Sequence, residues 1–188
     1  MKGVFFVELL KMAEDRLGEA QVDIILNNLR LPSGGAYTTV QRFPREEYER
    51  LLKALARALG ETRAQLSYRF GRWMFCYFAS LHPDFVAQHT STYSLLSDLE
   101  EKVHAQIRKL DDQADIPQME VEKRSGHEYI LLYRSTRKMI DFCQGSLEAS
   151  LDHFREKAEL TREVIETPLE RIVLFRIKLR ERVMDTTL

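Results

Sequence analysis

Apolar positions fall into helical register from the start of the chain. Phe5, Leu9, Met12, Ala13 and Leu17 recur at helical spacing over 4–17, and Val22, Ile25 and Leu26 continue it in a short second helix over 20–28. LPSGGAYTT (31–39) carries paired glycines and no periodicity, which predicts a loop. The next helix opens at Pro44 with Glu46 and Glu47 in its first turn, runs as a stripe of Tyr48, Leu51, Leu52, Leu55 and Leu59, and stops at Gly60. Thr62 and Gln65 have the spacing of a capping box and start a helix that reaches about Leu81. Its second half, WMFCYFASL (73–81), is apolar almost all round and predicts burial on several sides, and HPDF (82–85) breaks it.

A helix is expected over 93–110, with Leu96, Leu99, Val103, Ile107 and Leu110 on one stripe, followed by a connection, DDQADIPQ (111–118). The period then changes. MEVEKRSGHEYILLYRS (119–135) reads as two strands joined by Arg124-Ser125-Gly126. Helix returns over 138–156, with Ile140, Cys143, Leu147, Leu151 and Phe154 in register, and two further strands are expected over 160–166 and 171–180. The first ~90 residues are therefore helical and the rest combines helix with antiparallel strand, an α/β (α+β) class.

Length and charge narrow the function. With 188 residues the chain fits a single domain, and 28 basic against 29 acidic residues exclude a strongly basic nucleic-acid binder. No apolar run approaches the ~18 residues of a membrane span. Glu8 and Lys11 break the N-terminal apolar run too early for a signal peptide. The two cysteines, Cys76 and Cys143, make neither a disulfide framework nor a CxxC metal site, so a reducing compartment is expected. GxSxG, HExxH, GxxxxGK[ST] and GxGxxG are all missing.

The candidate chemistry lies in three places. His82 and His89 sit beside a helix end as caps or surface residues, and His127 lies in a hairpin turn; His104 instead occupies the shoulder of its helical stripe. There it is either a half-buried histidine bonded to a neighbour or a ligand pointing into a cleft. On a strand, Tyr133, Ser135 and Arg137 share one face and align a phenol, a hydroxyl and a guanidinium. All three donate to anionic oxygens and suit a carboxylate-bearing ligand, unless the face is simply solvated. Phe142 lies off the Ile140/Leu147/Leu151 stripe beside Gly145, Ser146 and Ala149, which marks a second close-packing surface.

Together these residues resemble the heme nitric oxide/oxygen binding (H-NOX) family, the sensor domain shared by bacterial proteins and the β subunit of soluble guanylyl cyclase. The resemblance runs from the MKG start through GRWMFCYF, HPDF, KVHAQIRKL and the Pro117 region to YRSTRKMIDF. Its specific signal is YxSxR at 133–137 following a helical histidine. It implies one domain over 1–188, with a helical distal lobe over about 1–90, a proximal lobe carrying the sheet over about 91–188, and heme b (ferrous protoporphyrin IX) between them. By match, His104 is the proximal iron ligand, Tyr133, Ser135 and Arg137 hold the propionates, and Pro117 presses on the porphyrin. Phe5, Leu9, Trp73, Met74, Phe75 and Phe78 supply apolar side chains for the pocket.

Departures from the family pattern set the expected ligand. Members that hold O₂ stably carry a distal tyrosine at the position of Phe142, supported by polar groups at the positions of Leu9 and Met74. Here all three are apolar, and Tyr77 is the nearest alternative donor. The resemblance therefore implies a sensor of NO, and of CO, with weak or no O₂ binding. The zinc-binding cysteine cluster of some members is absent. Cyclase, kinase and methyl-accepting segments are missing too, so the expectation is a non-enzyme in the cytoplasm that signals in trans to a histidine kinase or a cyclic-di-GMP enzyme, without nucleic acid or membrane. In the family's mechanism NO weakens the bond to His104, the porphyrin relaxes against Pro117 and the lobes rotate. The rivals are an O₂ sensor of the same fold, a heme-free interaction adaptor, and a heme enzyme, which would want distal acid–base residues.

Overall fold

The computed structural model describes residues 1–110, 116–135, 139–166 and 171–180. Arg137 lies outside them. The described chain runs through α1 (Val4–Leu17), α2 (Glu19–Leu29), α3 (Arg45–Ala58), α4 (Arg63–Leu81), α5 (Pro83–Ala87) and α6 (Thr92–Asp98). A π-helical turn (Leu99–His104) leads into α7 (Ala105–Leu110), then β1 (Gln118–Lys123), β2 (Glu128–Arg134), α8 (Ile140–His153), β3 (Ala158–Glu166) and β4 (Arg171–Leu179). No described helix is long and apolar enough to cross a membrane. The chain divides into two compact units, Met1–Tyr77 with Asp141–Ser146, and Phe78–Ile140 with Leu147–Leu188.

The N-terminal unit is built on the stripes of α1, α3 and α4, which bury Phe6, Leu9, Met12, Leu51, Leu55, Leu66 and Phe70. The expected capping box forms: Thr62 N donates to Gln65 Oε1 at 2.9 Å and Gln65 N donates to Thr62 Oγ1 at 3.1 Å. The loop after α2 is tied down by buried Glu47, which accepts from Ser33 Oγ at 2.6 Å and from Tyr37 Oη at 3.0 Å. Where α4 meets the first turns of α8, two glycines let the backbones touch. A Cβ on Gly145 would lie 1.9 Å from the Tyr68 carbonyl oxygen, and one on Gly71 would lie 2.0 Å from that of Phe142. Ser146 Oγ closes the crossing by donating to the Gly71 carbonyl at 2.9 Å. Cys143, on the same turns, is buried, and burial pushes its thiol up to about 12, whereas Cys76 is exposed.

The C-terminal unit carries an antiparallel sheet in the order β1-β2-β4-β3. Tyr129, Leu131 and Tyr133 alternate along β2 and pair with Ile177, Phe175 and Val173 of β4, and all six are buried. Tyr133 therefore stands on the core face of the sheet rather than on a solvated one.

Several elements differ from the pattern expected of them. The helix expected over 93–110 forms without a break but changes register at the π-helical turn in its middle. At the π turn the Ala105 N–H bonds the Glu100 carbonyl, which inserts a residue into the register and swings the stripe off the core. Ile107 is then 36% and Leu110 86% exposed. HPDF does not merely end a helix: Pro83 starts α5, with His82 at its N-cap. His89 is buried, beside Asp98 at 3.7 Å and against the Phe85 ring, not a surface residue. The helix expected over 138–156 is confined to Ile140–His153, and β3 begins at Ala158 rather than 160.

The crossing predicts that Gly145→Ala lowers unfolding free energy by about 2 kcal/mol or more, read by urea denaturation, because the obstacle is a backbone carbonyl that cannot swing aside. Acid sensitivity is predicted at Glu61. Burial pushes this carboxyl up, but the hydrogen bond from Arg16 and the charges of Arg69 and Arg16 outweigh it, so it titrates below its ordinary value. Its contribution is complete above the unfolded carboxylate range and is lost as pH falls through the folded value. Glu61→Gln should cost up to about 1 kcal/mol at neutral pH and nothing once the carboxyl is protonated, so that the two stability–pH curves converge as pH falls through the lowered folded value.

Candidate functional site

The α1, α4 and α8 segments of the N-terminal unit bring most of the expected apolar pocket residues together. The rings of Phe5 and Phe142 lie 5.7 Å apart, and Phe70 joins them at 6.3 Å from Phe5 and 5.5 Å from Phe142. Leu9, one turn beyond Phe5, is fully buried, and Met74, one turn beyond Phe70, is half-buried. Phe78 belongs to the C-terminal unit, where its ring packs on His82 at 5.1 Å and Phe85 at 6.0 Å.

The residues just before Leu9 and Met74, Glu8 and Trp73, form a pair that periodicity did not reveal. Glu8 is 2% exposed, accepts from Trp73 Nε1 at 2.9 Å through Oε2, and pairs with Lys11 at 2.8 Å through Oε1. In the sequence Glu8 looks like an interruption of an apolar run; it is instead a buried carboxylate with both oxygens engaged. The hydrogen bond to Glu8 raises the Lys11 pKa against the opposing effect of burial, with the Glu8 charge adding to the rise.

In the C-terminal unit His104 ends the π turn with its side chain 16% exposed. Its Nδ1 lies 3.0 Å from Glu100 Oε2. The same Oε2 accepts from Met119 N at 3.2 Å, the first turn of chain into β1, while Oε1 pairs with Arg108 Nη2. Arg108 Nη1 in turn donates to the Pro117 carbonyl at 3.2 Å. Met119 pairs with Tyr133 across β1 and β2, so the network reaches the strand that leads to Ser135. His104, Pro117 and Tyr133 are thus linked through Glu100, Arg108 and β1, while Ser135 is half-buried just past β2.

Glu100 and Arg108 are the partners that sequence reading left unnamed. Their signal was present: Glu100, His104 and Arg108 are spaced four apart, so they share a helix face.

The electrostatics favour a neutral imidazole. Burial lowers the His104 pKa, the Glu100 carboxylate opposes this, and Arg108 adds to the lowering; the net shift is downward. With Nδ1 engaged by Glu100, Nε2 keeps its lone pair for a ligand bond. Beside it Val103 is half-buried and Ile107 exposed, apolar surface that a flat macrocycle would cover. A neutral histidine with a carboxylate behind it, flanked by aliphatic side chains, fits a heme iron. Among the described residues no group of His, Cys, Asp or Glu side chains could hold a metal ion by itself.

Comparison with known proteins agrees with this chemistry. Residues 2–162 match the family described as Haem-NO-binding. No curated protein matches the chain. An unliganded Fe(II) H-NOX protein from K. algicida is 27% identical over 97% of this chain and 98% of its own, with a TM-score of 0.85. A mutant T. tengcongensis H-NOX is 24% identical over 97% and 100% of the two chains, with a TM-score of 0.87. An oxygen-binding H-NOX domain related to soluble guanylate cyclases, in its oxygen complex, is 23% identical over the full length of both, with a TM-score of 0.83. The last two likenesses speak for the fold alone.

The buried pair generates a prediction. Trp73→Phe keeps an aromatic ring but strands one Glu8 oxygen, and should cost about 2 kcal/mol in urea denaturation followed by circular dichroism. Trp73→Phe combined with Glu8→Leu should recover part of that loss, because the carboxylate is then gone.

Proposed function

The chain belongs to the Haem-NO-binding (H-NOX) family of heme-based gas sensors, and from that premise we propose that it is a nitric oxide sensor. It holds ferrous heme b through His104 and reports to a separate protein by conformational change. The observation that carries the NO reading is the cluster of Phe142, Phe5 and Phe70, three phenyl rings in mutual contact. Bound O₂ takes on negative charge and gains from a hydrogen-bond donor, and phenyl rings supply none. NO and CO depend on such a donor much less. Leu9 and Met74, both apolar, extend the same surface.

When bound, the heme supplies the iron at which the gas is taken up. His104 Nε2 is the atom that holds it on the protein side. Tyr133, Ser135 and Arg137 hold the propionates, whose charge would be costly to bury without such donors. Pro117, fixed through its carbonyl by Arg108, bears on the ring. A histidine kinase or a cyclic-di-GMP enzyme in trans receives the signal. Two unpaired cysteines fit a cytoplasmic setting.

The test is absorption spectroscopy of the anaerobically reduced protein. NO should shift the Soret band, and air should give no stable oxy-complex. His104→Gly should lose the protein ligand and recover it with added imidazole; an unchanged spectrum without imidazole would remove His104 from its role. Phe142→Tyr adds a hydroxyl beside Phe5 and Phe70 and should raise O₂ affinity about tenfold, the worth of one hydrogen bond to a charged acceptor. No gain in O₂ titration would sink the assignment of Phe142 to the distal side.

A further inference from the structure

Four hydrogen bonds converge on a short stretch of the C-terminal unit. Glu100 Oε2 takes the His104 Nδ1 contact at 3.0 Å and accepts from Met119 N at 3.2 Å, Oε1 accepts from Arg108 Nη2, and Arg108 Nη1 donates to the Pro117 carbonyl at 3.2 Å. An ordinary pair on a helix surface would be mobile and shared with water. This one is not of that kind: the Glu100 side chain is 19% exposed and is bonded to a backbone amide on another element. The bond from Met119 fixes one carboxylate oxygen in place, and the guanidinium fixes the other. The imidazole therefore meets an acceptor that cannot rotate away.

We propose that Glu100 is a positioning residue for the iron ligand, one that holds His104 with its proton on Nδ1 and its lone pair on Nε2 and locks the ring plane to Pro117–Met119. The inference rests on His104 being the heme ligand. A ring nitrogen has two tautomers, and only one presents a lone pair at Nε2; a fixed acceptor at Nδ1 selects it. A charged acceptor does more than an amide would, since it pushes electron density through the ring and makes Nε2 a stronger donor to iron. The tie to Pro117 has a second effect. Any change in the tilt of the His104 ring must drag the Glu100 carboxylate, and with it the Met119 amide and the Arg108 guanidinium. The ligand and the proline expected to press on the porphyrin are thereby joined by protein as well as by the ring they share.

Glu100→Gln and Glu100→Leu separate the two effects, because glutamine can accept from Nδ1–H without charge and leucine cannot accept at all. The first readout is ¹⁵N nuclear magnetic resonance of histidine-labelled full-length protein before heme is added. The wild type should show His104 as the Nδ1–H tautomer, Glu100→Gln the same, and Glu100→Leu a mixture. The second readout is the iron–His104 stretching band in resonance Raman spectra of the ferrous, heme-loaded protein. It should fall in frequency from wild type to Glu100→Gln to Glu100→Leu, and heme transfer to an acceptor protein should quicken about tenfold in the last. A purely structural Glu100 would lower the melting temperature and leave the stretch and the tautomer where they are, and that result overturns the proposal. Absence of any iron–histidine stretch in the wild type defeats instead the assignment of His104 as ligand, while the tautomer measurement still decides whether Glu100 commands the ring. If leucine prevents folding, the near-isosteric glutamine variant decides alone: an unchanged stretch frequency counts against the charge.

Discussion

Glu100 accepts from an imidazole, a guanidinium and a backbone amide that come from the π turn, from α7 and from β1. A carboxylate so loaded cannot shift without stranding a donor, and a stranded donor in a half-buried site costs as much as the bond it lost. The arrangement of the C-terminal unit around His104 follows. The π turn brings His104 to the end of an underwound segment, α7 supplies Arg108, and β1 is held where its partner β2 can carry Tyr133 on the buried face of the sheet. The site is thus a property of tertiary hydrogen bonding laid over the helix, not of the helix alone.

The N-terminal unit is governed by a different logic. Two carboxylates buried in its interior have both oxygens engaged, Glu8 by Trp73 and Lys11, and Glu47 by Ser33 and Tyr37. Each anchors a local feature: one clamps α1 to α4, the other holds the loop after α2. Neither approaches the phenyl cluster with a hydrogen to donate, since an ionised carboxylate only accepts. Polar groups can therefore be buried in this unit without turning its aromatic surface into a polar one.

The elements that were legible from the chain are those whose signals are local. The capping box of Thr62 and Gln65 and the stripe of α3 are set by neighbours a few residues away, and each formed as its spacing implied. The failures share a cause as well. Nothing in the apolar spacing over 93–110 distinguishes a regular helix from one with an inserted residue. Glu8 read only as a break in an apolar run, and His89 as a cap or surface residue, because their partners, Trp73 and Asp98, lie on other elements or other turns. For the site, the residue types were readable from YxSxR and the isolated histidine, whereas the carboxylate behind the histidine needed a structure, even though the four-residue spacing was there to be seen.

The burial of Cys143 in the first turns of α8 has one more consequence. Its thiol is held far from the thiolate and away from solvent, so a thiol reagent meets it only when the structure around it opens. Cys76, exposed on α4, has no such protection and is consumed at the rate of an open thiol. The chain therefore carries an internal stopwatch and its own reference: the lag between the two alkylation rates times how often the packing around Cys143 opens, with no label added.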